Sequence, residues 1–189
     1  MARKKDRTGL VVFLVIMAAA LGVGGYFGWG WYRVSQERET WGPTIARLLP
    51  VFNEGLEQVS EVSPDTETET REISGPVLVW NRNDNCVLHL SNTAGREATD
   101  PSGGFTLLMA YKKVEATGMY LERGGHRGTA PMKQYTLSVI VIDPRDGALL
   151  GAHKIFGSQP PSFTNVKKGF TGPDDVYPKF NYWLGQSLR

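Results

Sequence analysis

The chain has 189 residues, with 21 basic against 19 acidic side chains, 41% hydrophobic residues and a single cysteine. That is enough for one ordinary domain beside a terminal segment, and Cys86 alone excludes an intrachain disulfide framework. Arg3, Lys4, Lys5 and Arg7, against Asp6, account for the positive excess; the remaining seventeen basic and eighteen acidic residues carry a net charge of −1, which excludes a nucleic-acid footprint.

Gly9 to Trp31 is an almost unbroken apolar run. About 23 residues at 1.5 Å rise give a helix of roughly 35 Å, long enough to cross a bilayer core with some tilt. The run therefore predicts a transmembrane helix over residues 9–32, behind a basic tail at 1–8. Basic residues before a first span stay on the cytoplasmic side. The expected location is a bacterial inner membrane, with the N-terminus cytoplasmic and the rest periplasmic. Trp29, Trp31 and Tyr32 close the run as an interfacial anchor of amphipathic rings. Ala20, Gly24 and Gly28 recur every four residues and predict a helix-packing face. The rival reading is a cleaved signal peptide with Ala18-Ala19-Ala20 as its site. Cleavage there leaves a mature start of Leu21-Gly22-Val23-Gly24, apolar and poorly suited to a soluble terminus.

Residues 33–62 keep helical periodicity, as a juxtamembrane helix. Ile45, Leu48, Leu49, Phe52, Leu56 and Val59 fall on one helix face. Gly42-Pro43 is expected to interrupt any continuation from the membrane, and Pro50 to kink or split the helix beyond it. Packing on the domain's own sheet is the favoured role for that face; a docking face for a partner helix is the alternative. Residues 63–74 form an acidic linker, polar through Ser63 to Thr70.

An extracytoplasmic domain spans 75–189, where the period changes to two. Pro76 to Trp80 and Cys86 to Leu90 read as a hairpin about the turn formers Asn81 to Asn85. Phe105 to Leu121 is a long strand with a bulge expected near Ala116-Thr117-Gly118. Gly124 to Gly128 reads as a glycine-rich turn. Lys133 to Ile142 is apolar on both faces and is therefore central. Asp143-Pro144-Arg145-Asp146-Gly147 turns the chain into a return strand, Ala148 to Phe156. After a loop at 157–173, a helix capped by Asp174 or Asp175 carries Val176, Phe180, Trp183, Leu184 and Leu188 as an apolar stripe. The fold class is α+β: a single transmembrane helix, then an antiparallel-sheet domain with a C-terminal helix packed on it.

Val139-Ile140-Val141-Ile142-Asp143, Gly151, Phe156-Gly157-Ser158-Gln159-Pro160-Pro161 and the helix holding Trp183-Leu184 resemble a family of uncharacterised bacterial exported domains. The resemblance spans about 85 residues, supports the fold and implies no chemistry.

Motifs of chemistry are missing from the sequence. His89, His126 and His153 lack neighbours at metal-ligand spacing. There is no nucleophile elbow, Walker loop or dinucleotide fingerprint, and Gly157-Ser158 has no evident base nearby in sequence. No catalytic residue, cofactor or metal is expected. The chain reads as a non-catalytic accessory subunit of a larger membrane complex of respiratory or photosynthetic type. Its partners would be other transmembrane subunits and the bilayer. The alternative is a tethered envelope module binding a polymer, lipid or small ligand; a hydrolase with a dispersed site is a third possibility.

Overall fold

The computed structural model describes residues 7–60, 72–121, 129–160 and 170–188. The basic tail before Arg7, most of the acidic linker, the Gly124–Gly128 turn with His126, and Pro161 with the loop after it lie outside the described residues.

Helix α1 runs from Arg7 to Ser60 without a break, 54 residues with Pro43 and Pro50 inside it. At 1.5 Å per residue it is about 80 Å long. The interruption expected at Gly42-Pro43 does not occur, and the boundary drawn between residues 32 and 33 falls inside one helix. Each proline removes one donor to the carbonyl four residues back. Pro43 and Pro50 are exposed and lie seven residues apart, two turns on the same side, so water can reach the carbonyls they leave unpaired. The opposite side holds the helix in place. Trp41, Ile45, Leu48, Phe52 and Val59 are buried on either side of both prolines and pack on the sheet with Leu78, Trp80, Leu107, Met109, Ile140 and Ile142.

The sheet has five strands in the order β2-β1-β3-β4-β5: β1 is Val77–Asn81, β2 Cys86–Val87, β3 Thr106–Leu121, β4 Thr129–Asp143 and β5 Ala148–Phe156. A two-residue strand β6, Phe170–Thr171, pairs with β4 beside Met132 and Lys133. The sheet is mixed, which corrects the antiparallel expectation. Strands β1 and β3 run parallel, Val77 opposite Thr106 through Asn81 opposite Ala110, and β6 is parallel to β4. The β1–β2, β3–β4 and β4–β5 pairs are antiparallel. The bulge falls between Ala116 and Gly118, where the spacing placed it.

Helix α2, Val176–Ser187, covers the face opposite α1. Val176, Phe180 and Leu184 are fully buried there against Val77, Val79, Leu108, Leu137, Val139 and Val141, with Trp183 and Leu188 partly buried beside them. Alternate residues of β1, β3 and β4 thus enter two separate cores. That is why β1, the start of β3 through Ala110 and the end of β4 read as continuous apolar runs rather than as one-sided strands. Ile73, expected in the linker, is 4% exposed and belongs to the second core; its N–H donates to Ser187 O at 2.7 Å. The Asp143–Gly147 turn is observed, with Gly147 at φ 75°, a backbone region in which a side chain is strained.

At Gly55 the backbone of α1 comes close to the sheet. A Cβ there would stand 2.5 Å from Ile140 Cγ2, while one at Gly42 meets nothing within 4 Å. Helix propensity alone favours alanine at both sites by about 1 kcal/mol. We expect Gly55→Ala to destabilise the protein by about 1–2 kcal/mol through overpacking, and Gly42→Ala to leave it unchanged or more stable, read from denaturation midpoints in detergent.

Candidate membrane-anchoring site and the polar clasp at its base

The N-terminal part of α1 contributes no described residue to either core. Its described side chains from Val11 to Tyr32 are exposed, including Trp29 at 70%, Trp31 at 76% and Tyr32 at 54%. Its best 18-residue window has a mean hydropathy of 2.2, and none of that window is buried. This is one helix long and apolar enough to cross a membrane. Ala20, Gly24 and Gly28 are exposed on it, and a Cβ on Gly24 or Gly28 would meet nothing within 4 Å.

Just past the aromatic rings, α1 is fastened to the domain by polar contacts. Arg38 donates from Nε to Asn85 O and from a terminal nitrogen to Asp84 O, both at 2.8 Å, gripping the β1–β2 turn. The neighbouring Glu37 carboxylate accepts from Val87 N–H at 3.2 Å and meets His89 Nε2 at 3.2 Å. The other ring nitrogen, Nδ1, faces Glu97 at 3.2 Å. Arg33 pairs with Glu37 one turn earlier in the helix, at 3.4 Å. Farther along, Arg47 donates to Pro144 O in the β4–β5 turn. The β1–β2 turn itself is preorganised: Asn81 Oδ1 accepts from Asn83 N–H at 3.0 Å, and the Asn83 side chain bridges the backbone of Lys112 on β3. Asn85 takes a positive φ of 54°, which asparagine tolerates better than most residues.

Glu37, His89 and Glu97 line a cleft of about 80 Å³, with Trp41, Val87 and Thr93 among its other walls. Ligand pockets usually run to about 300–1,000 Å³, so this cleft has room only for waters or a small ion. Each histidine nitrogen is engaged by a different carboxylate. Among the described residues no group of three His, Cys, Asp or Glu is placed to hold a metal ion. The Thr93 hydroxyl turns to Leu90 O and Glu97 instead of the ring. The constellation is a fastener between helix and hairpin. No local pattern in the chain marks it, because Glu37 and Glu97 lie 52 and 8 residues from His89.

The remaining candidates are also structural. Asp175 occupies the N-cap position of α2 but makes no capping bond. Its carboxylate instead accepts from Ser158 N–H at 2.7 Å and from the Ser158 hydroxyl, with Lys179 3.2 Å away. Ser158 thus meets an acid that was not apparent in the sequence, and the contact pins the loop after β5 to the start of α2. Asp174 pairs with Lys112 at 2.8 Å. Cys86 is half-buried, and burial, together with Asp84 and Glu37, pushes its thiol above the usual range, so it stays protonated. His153 is 6% exposed, its ring centroid 4.7 Å from that of Trp183.

No family model, curated protein or solved structure matches this chain.

The clasp and the buried histidine each have a measurable consequence. Glu37 is 13% exposed in its side chain, and Glu37→Ala strands both Val87 N–H and His89; a loss of about 1–3 kcal/mol is expected, with Glu37→Gln retaining part of it, by denaturation in detergent. Burial holds the His153 ring below its ordinary value of 6.5. The folded protein therefore keeps the ring neutral, while the unfolded chain takes up a proton once pH falls below about 6.5. Stability from this site is full above that pH and declines as pH falls further. In a comparison between about pH 7.5 and pH 5, His153→Phe should lose less stability than the parent.

Proposed function

We propose that this chain is a single-pass membrane-anchored accessory subunit, non-catalytic, that docks on a larger membrane assembly of respiratory or photosynthetic type. The observation that carries the reading is the exposed apolar stretch of α1 continuing, in the same helix, into the core of the outer domain. Such a helix exposes apolar surface all round, which water tolerates poorly and lipid accepts. The basic tail, Arg3 to Arg7, favours a cytoplasmic N-terminus and a periplasmic domain at a bacterial inner membrane. Ala20, Gly24 and Gly28 offer a face on which another transmembrane helix can come close.

The continuity of α1 also bears on the signal-peptide alternative. Cleavage after Ala20 would leave residues 21–36 of the helix projecting from the domain ahead of the Glu37–Arg38 clasp, still carrying Trp29, Trp31 and Tyr32 in water. A ligand-binding module is less well supported, since helices cover both faces of the sheet and the cleft at His89 is small.

Membrane fractionation with an alkaline carbonate wash, followed by mild-detergent purification, tests the proposal. The intact chain should stay in the washed pellet, retain its N-terminal residues and co-purify with other membrane subunits at fixed ratio. Release into the soluble fraction would refute anchoring, and a lone monomer on native gels would refute the subunit role.

A further inference from the structure

We propose that the outer domain rests on the phospholipid headgroup layer, with the β1–β2 turn at Arg82–Asn85 as its contact surface; this deepens the anchored reading and rests on it. The continuous helix serves as a ruler. The unbroken apolar run ends at the Trp29–Tyr32 collar, just before Arg33, and the collar marks the boundary of the hydrocarbon. From Tyr32 to Arg38 the axis rises only about 9 Å. Arg38 holds the turn directly through Asp84 O and Asn85 O, and Glu37 holds Val87 just behind it. Side chains on a helix lean toward its N-terminus, here toward the collar, so the turn lies at the level of Arg38 or closer to the lipid. The headgroup layer is about 5–8 Å deep on each side, the difference between a 30 Å core and a 40–45 Å bilayer. The turn therefore meets its outer rim.

The turn is also chemically suited to that place. Asn81, Asn83, Asp84 and Asn85 are polar, and Arg82 is exposed, free to reach a lipid phosphate across the remaining gap. The turn cannot swing away: Asn83 is bonded to both N–H and C=O of Lys112, and Arg38 grips the two carbonyls. The β4–β5 turn is held at Arg47 through Pro144, nine residues farther along α1, about 14 Å higher above the membrane. It should stand clear of the lipid.

The experiment uses the full chain carrying Cys86→Ser, with a fluorophore on either Arg82→Cys or Arg145→Cys. It is reconstituted into phosphatidylcholine vesicles containing a headgroup-nitroxide lipid, with flotation as the anchoring control. Several-fold stronger quenching at position 82 than at 145 is expected. Insertion of Gly-Ser-Gly-Ser after Arg33 should erase that contrast while leaving flotation intact. Failure to float overturns the anchored reading and this proposal together. Flotation with equal quenching at the two positions overturns this proposal alone, as does a contrast that survives the insertion.

Discussion

Everything in this protein hangs on one helix that does two incompatible jobs at its two ends. The first half of α1 exposes apolar side chains on every side, whereas the second half is amphipathic and supplies one face of the core. No loop separates the two. A hinge would let the domain tumble at the end of a tether. The continuous backbone instead fixes the direction in which the apolar half leaves the domain. Trp41 is the first residue of α1 to enter the core, where it meets Phe105 edge-on with ring centroids 5.3 Å apart. The clasp of Glu37 and Arg38 lies just before it, so polar fastening and apolar packing begin within about one turn of each other.

The prolines explain why this continuity was hard to read. Pro43 and Pro50 are strong local signals for a break, and the rule behind them concerns one lost hydrogen bond and one steric contact. Packing of Trp41, Ile45, Leu48 and Phe52 on a sheet is a larger effect and is not local. Where the apolar face brackets both prolines and the prolines point to solvent, the tertiary term wins. The periodicity of Ile45 to Val59 was already legible, and so were the run 9–31, the bulge near Gly118, the Asp143–Gly147 turn and the stripe of α2. Those features depend on neighbours within a few residues.

Features that escaped the sequence depend on distant pairs. The parallel pairing of β1 with β3 leaves no mark in either strand, since the paired stretches, Val77–Asn81 and Leu107–Ala110, are buried on both faces and alternate nothing. The Glu37–His89–Glu97 clasp and the Ser158–Asp175 contact join segments that look ordinary alone. The segments that carry the resemblance lie on β4, β5, the loop after it and α2. The resemblance offered nothing on the clasp, because the residues that carry it begin at Val139.

The pairing of Ile73 with the end of α2 bears on biogenesis. The bridge from Ile73 to Leu188 ties the segment before β1 to the residue after α2. In a chain delivered N-terminus first, α1 can cover one face of the sheet early, but the other face waits for Val176, Phe180 and Leu184. Until α2 is in place, Val77, Val79, Leu108 and the apolar row of β4 lack their cover. Contacts of such sequence separation form late and leave an aggregation-prone intermediate. Helix α1 precedes every strand in the chain, so it can already cover its own face of such an intermediate and leave the exposed apolar surface on one side of the sheet.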